Sequence, residues 1–179
     1  MKKIKNKQFQ HLTSGLAVFA SRFASLPPNF SPLGSFGFFS QNIFLFFGNI
    51  ILFDLIKGGF YDGFIFVYLG FLAYYLLGKL SKDSLKKQLL FLPISSFLFF
   101  LISNFGVWFA WYPHTLQGLF KCYLLAIPFY KNTMLGDIIF GYGFFGIRCF
   151  IERSQKNNIT VPIQSKLLVD LVMARIKSS

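Results

Sequence analysis

Two long apolar runs meet at a lysine-rich turn, and this limits the fold more than any other feature of the chain. The first run is "FIFVYLGFLAYYLLGKL" over residues 64–80, and the second covers 89–110. Around the turn between them stand Lys79, Lys82, Lys86 and Lys87. A helix that crosses the hydrocarbon of a bilayer needs roughly 20 apolar residues, and each run comes close to that. Basic loops between apolar spans stay on the cytoplasmic side. The pair therefore reads as a helical hairpin through a membrane, with its lysine turn inside.

Composition points the same way. Only 13% of the 179 residues are charged and 54% are hydrophobic, 27 of them Phe, whereas a soluble domain carries about 25% charged residues. The net charge of +12 could suggest nucleic acid, but its distribution argues against that. Lys2, Lys3, Lys5 and Lys7 precede the first apolar stretch, and Arg148, Arg153, Lys156, Lys166, Arg175 and Lys177 crowd the C-terminal end. These positions mark cytoplasmic flanks of spans, and no nucleic-acid partner is expected. The start resembles a signal peptide, but no clean small-residue cleavage site precedes "LPPNF", so a retained helix is expected.

The lysines also constrain the number of crossings. If residue 7 and the 79–87 turn are both inside, "KGGFYDG" (57–63) lies outside, and an odd number of crossings separates residue 7 from residue 57. Either 9–26 spans and 33–56 is a hairpin broken near Ser40-Gln41-Asn42, or 9–26 does not span and 33–56 crosses once. The expected fold is thus an all-α integral membrane protein, a compact bundle of about six transmembrane helices at about 9–26, 32–40, 42–56, 64–80, 89–110 and 134–151. The alternative has four. Only one crossing can follow 89–110 if the basic C-terminus is inside, so 111–132 is expected to be an outer cap or re-entrant segment. Residues 1–152 form the transmembrane domain. Residues 153–179 form a cytoplasmic linker and an amphipathic helix with Leu167, Leu168, Leu171, Val172 and Ile176 on one face. The expected location is the bacterial inner membrane, multi-pass, with both termini cytoplasmic and the lipid bilayer as first partner.

Ionisable groups inside a membrane are costly, so each invites a functional reading. Asp54 precedes Lys57 at the end of 43–56, as an interfacial ion pair or cap, or as a receiver of a cationic or hydroxylated ligand group at the outer rim. Asp137 would sit in the first turns of the last helix, with Thr133 as N-cap. Asn104 lies within 89–110, and Gly106 follows where another helix or a ligand could approach closely. Trp108, Trp111 and Tyr112 suit an aromatic belt. They share their interval with His114, Thr115, Gln117 and Lys121, followed by Tyr130, Lys131 and Asn132, and aromatic walls with a few polar groups are what a small-molecule pocket requires. No metal or cofactor is expected, because His114 has no second ligand nearby and Cys122 is not at ligand spacing. No nucleophile–base arrangement and no P-loop occur, which disfavours an enzyme and a self-contained ATP-driven pump.

"LPPNFSPLGSFGFFS" (26–40), "LFDLIKG" (52–58), "FVYLGFLAYYLLGK" (66–79) and "NFGVWFAWYPHTLQGLFKCYLLAIPFYKNTMLGD" (104–137) resemble a family of small uncharacterised bacterial membrane proteins. That family is similar in turn to the substrate-binding S components of energy-coupling factor (ECF) vitamin transporters. The resemblance implies six helices and a vitamin-like ligand captured near the outer face. It also implies a transmembrane scaffold and ATPase subunits as partners. S components often dock on the scaffold through an AxxxA pattern in the first helix, which Ala20 and Ala24 match in form. S components for nickel or cobalt carry a histidine just behind the initiator methionine, whereas this chain begins Met-Lys-Lys, so the implied ligand is organic. Asn104, Trp108, Trp111, His114 and Gln117 are the expected contacts, with Asp54 and Asp137 as further candidates. The alternative is a non-transport membrane scaffold or assembly protein.

Overall fold

The computed structural model describes residues 2–40, 42–143 and 146, without the side chains of 2–11. Among these residues the chain is all helical. The helices are α1 (Lys2–Ser21), α2 (Leu33–Phe39), α3 (Ile43–Lys57), α4 (Phe64–Ser81), α5 (Leu85–Trp111) and α6 (Leu116–Gly136), the last running directly into a π-helical turn at Asp137–Gly141. The chain divides into units Met1–Tyr142 and Gly143–Ser179. Of the second, only residues 143 and 146 are described. The expected linker and amphipathic helix of 153–179 lie outside the described residues.

Local chemistry sets the boundaries. Ser84 and Thr115 cap α5 and α6 by accepting from the amides of Lys87 and Gly118, and Asn42 caps α3 by accepting from Phe44 and Leu45. The break between α2 and α3 falls between Ser40 and Asn42, at the interruption expected from the sequence. The turn after α3 needs glycine, since Gly58, Gly59 and Gly63 have φ of 122°, 94° and 80°.

Six α-helices stand among the described residues, as many as the expected spans, but α6 takes the place of the expected 134–151 helix and their lengths are unequal. Among the described residues, only α4, with 18 residues, and α5, with 27, are long and apolar enough to cross a membrane by their own length and composition. Helix α2 has seven residues, about 10 Å of rise, which is too short to span. It is instead a buried plug, with every residue from Leu33 to Phe38 inaccessible. Its small residues permit this, because a Cβ on Gly34 would meet Asp137 and Tyr74, and one on Gly37 would meet Phe46.

The back half also differs from expectation. Residues 111–132 are not a separate cap, because Leu116–Gly136 is one helix continued by the π turn. Thr133 is therefore not an N-cap. It lies inside α6 and donates its hydroxyl to the Phe129 carbonyl at 3.0 Å. Thr115 takes the capping role, because the helix starts as soon as Pro113 is passed.

Helices α4 and α5 are the most extensively packed pair. They approach closely at Gly106, where an added Cβ would lie 2.5 Å from Phe66 Cβ. Pro93 lies inside α5, has no N–H, and so removes the helical partner of the Leu89 carbonyl. Tyr142 Oη donates to that carbonyl at 2.9 Å. Two apolar clusters fill the interior, one around Phe36, Phe46, Ile50 and Tyr75, the other around Phe38, Tyr74 and Leu92. The interior is nonetheless rich in polar groups, whereas Phe44, Leu80, Leu116, Phe120 and Leu124 are exposed.

Candidate functional site

Helices α5 and α6 run antiparallel and face each other across a cavity of ≈ 450 Å³. From α5 it is lined by Phe99, Phe100, Ser103, Asn104 and Val107, and from α6 by Cys122, Leu125, Ala126, Phe129, Tyr130 and Thr133. Both sets follow the i, i+3, i+4 spacing of one helix face. Val67 of α4, Tyr61, Tyr112 and the Pro28–Asn29 turn complete the lining. The turn is held over α6 because Asn132 Nδ2 donates to the Pro28 carbonyl at 3.0 Å, and Asn29 takes the left-handed φ of 63° that asparagine tolerates.

The polar groups of the cavity are largely oriented by the helices themselves. Ser103 Oγ donates to the Phe99 carbonyl at 2.6 Å, and Asn104 Nδ2 donates to that of Phe100 at 2.8 Å. Such back-bonding satisfies a hydroxyl or amide proton within an apolar helix. The Cys122 thiol points to the Asn104 carbonyl at 3.5 Å, and Tyr123 Oη donates to that of Leu101 at 2.6 Å. These bonds clamp α6 to α5 beside the cavity.

Of the residues expected to contact a ligand, Asn104 lines the cavity. The others lie elsewhere. Trp108 Nε1 donates to the Pro113 carbonyl at 3.1 Å. His114 Nε2 bonds the Phe109 carbonyl at 2.9 Å, and its ring stacks on Phe109 at 5.2 Å between centroids. Both tie down the α5–α6 turn. Trp111 and Gln117 are exposed. Helix α1 ends at Ser21, so Ala24 lies beyond it and the two alanines do not share a helical stripe.

The two acids sit in separate clusters. Asp54 accepts from Tyr68 Oη at 2.8 Å and pairs with Arg22 at 3.9 Å. The Arg22 guanidinium also lies 3.6 Å from the Phe53 ring centroid and reaches the Asn49 carbonyl at 3.4 Å. Asp137 is 1% exposed. Its Oδ2 accepts from Ser96 Oγ at 2.7 Å and from Tyr74 Oη, and its Oδ1 accepts from Ser35 Oγ at 3.2 Å. This one carboxyl joins α2, α4, α5 and the π turn. Among the described residues no group of three or more His, Cys, Asp or Glu could hold a metal.

Sequence reasoning missed Ser103, Thr133 and Tyr61 as lining residues. The signal for the first two was available, because Ser103 and Asn104 on one helix and Cys122, Ala126 and Thr133 on the next share faces at helical spacing. Tyr61 depends on the glycine turn and carried no such signal.

The model of a family of unknown function, DUF6580, matches residues 2–162, and the chain belongs to that family. No curated protein and no solved structure matches the chain.

Proposed function

We propose that this DUF6580 member is a membrane-embedded substrate-capture subunit, resembling an S component of an ECF transporter. It binds a small organic micronutrient and relies on separate scaffold and ATPase subunits for energy. The observation that carries this reading is the cavity between α5 and α6, with its aromatic walls and oriented Ser103, Asn104 and Thr133. A concave, mostly apolar site with a few placed polar groups is the usual form of a small-molecule site.

The membrane setting is supported by the distribution of side chains. Ser35, Ser95, Ser96 and Asp137 are buried, while Phe44, Leu80, Leu116 and Phe120 face outward. A water-soluble core would reverse this. With the Lys79–Lys87 turn inside, α4 descends to the cytoplasm and α5 returns outward; α6 is less apolar than either, and in this reading it descends packed against α5, continued by the π turn. One crossing still follows α5, as the basic C-terminus requires, but it starts at Leu116. The cavity then opens in the outer half, near Tyr61 and Tyr112. Because α2 is too short to cross, the odd number of crossings before residue 57 means that just one of α1 and α3 spans; the protein is then multi-pass in a bacterial inner membrane, with both termini cytoplasmic.

Affinity purification of the tagged chain from its host, in mild detergent, tests the subunit assignment. Stoichiometric recovery of a transmembrane scaffold with two ATPase chains is expected. Recovery of a different stoichiometric partner, with no ATPase, favours the assembly-protein alternative.

A further inference from the structure

We propose that the cavity takes an uncharged planar heterocycle that donates N–H hydrogen bonds to its wall. The inference rests on the capture reading and narrows its ligand class. No Asp, Glu, Lys, Arg or His is among the lining residues. A buried ligand charge would have no counter-charge there, and unpaired burial of a charge is strongly unfavourable. The two buried acids outside the lining are already engaged, Asp54 by Arg22 and Tyr68 and Asp137 by three hydroxyls. Planarity follows from the aromatic share of the lining, Phe99, Phe100, Phe129 and Tyr130, against which a flat ring packs with the most contact.

The polarity of the hydrogen bonds follows from where the protons already are. Ser103 Oγ, Thr133 Oγ1 and one Asn104 N–H are spent on the carbonyls of Phe99, Phe129 and Phe100. A hydroxyl whose proton is committed retains only acceptor lone pairs, and the Asn104 amide oxygen is an acceptor as well. These three side chains therefore present mostly acceptors. A ring lactam or imide, with N–H groups on its edge, matches them. A carboxylate or phosphate does not, because the other polar lining side chains, Tyr61, Tyr112, Tyr130 and Asn29, offer it neutral donors but no counter-charge.

The test uses the full chain in lipid nanodiscs at pH 7, with binding read by calorimetry. The uncharged probes are lumichrome, hypoxanthine and thymine, and the charged ones are thiamine, a cation, and folate, an anion. At least one uncharged probe is expected to bind, and its N-methylated counterpart, which lacks the donors, to bind at least tenfold more weakly. Thr133→Val and Ser103→Ala should each weaken the unmethylated probe roughly three- to tenfold, with unchanged thermal unfolding of the free protein. Binding of thiamine or folate in preference to all three uncharged probes overturns the inference and leaves the capture reading standing. So does equal binding of the N-methylated probe, which needs no variant to fold. Binding of none of the five overturns the inference, and absence of any co-purifying small molecule as well overturns the capture reading with it.

Discussion

Ser96 Oγ donates to Asp137 Oδ2 at 2.7 Å across the contact between α5 and the π turn. The same carboxyl receives hydroxyls from Tyr74 and Ser35, so one acid holds four elements together. Asp137→Ala leaves those hydroxyls without their shared acceptor. The expected loss is about 1–3 kcal/mol, read as a lower unfolding temperature in detergent. Ser96→Ala should cost less, because Ser35 and Tyr74 keep their partner. An Asp137→Ala protein as stable as the original contradicts the anchoring role.

Tyr142 and Pro93 make a second, sharper test. The Tyr142 hydroxyl occupies the Leu89 carbonyl that Pro93 leaves without a helical donor. Tyr142→Phe should therefore destabilise by about 1 kcal/mol. In a Pro93→Ala background, where residue 93 supplies an amide, the same substitution should cost much less. A double-mutant cycle by urea or thermal unfolding measures the difference. Equal costs in both backgrounds would mean that the bond does no compensating work.

Asn104 and Trp108 are four residues apart, yet they should behave differently. Asn104 lines the cavity, whereas Trp108 fastens the α5–α6 turn through Pro113. Asn104→Leu is expected to weaken binding of the natural ligand at least tenfold with little change in unfolding temperature. Trp108→Ala is expected to lower that temperature first. Loss of folding in both, to the same degree, would return Asn104 to a structural role.

Gly106 sets the distance between α4 and α5. An added methyl would lie 2.5 Å from Phe66 Cβ, so Gly106→Ala forces the helices apart. Overpacking of this kind costs about 1–3 kcal/mol. Phe66→Ala keeps the Cβ but removes the ring atoms that would lie 2.7 Å from the same methyl, so it should relieve part of the cost, and a cycle showing no coupling between the two would contradict the close contact.

Much of this architecture was legible in the sequence, for identifiable reasons. Helices α4 and α5 announce themselves by apolar length and the lysine turn, and the α2–α3 break by Ser40 and by Asn42, whose side chain caps α3. Gly106 was readable as a close approach because a glycine inside an apolar helix has few other uses. Asn104 was readable as a cavity residue, but its neighbours Trp108 and His114 were not separable from it. Whether an indole N–H meets a ligand or the carbonyl five residues on depends on the turn at Pro113. The start of α6 was obscured because Lys121, Lys131 and Asn132 interrupt its apolar run, although the lysines lie on its exposed side. The role of Arg22 was not legible in the sequence. Its partner Asp54 is distant in sequence, and only the fold brings them together.

The central claim is that the cavity beside Asn104 holds a small organic molecule. Native mass spectrometry of the chain, gently extracted from its own host, tests it most directly. A bound organic compound at one copy per chain is expected, lost in the Asn104→Leu protein while the fold persists. A chain that emerges without any small molecule, or that keeps the same one after Asn104→Leu, contradicts it.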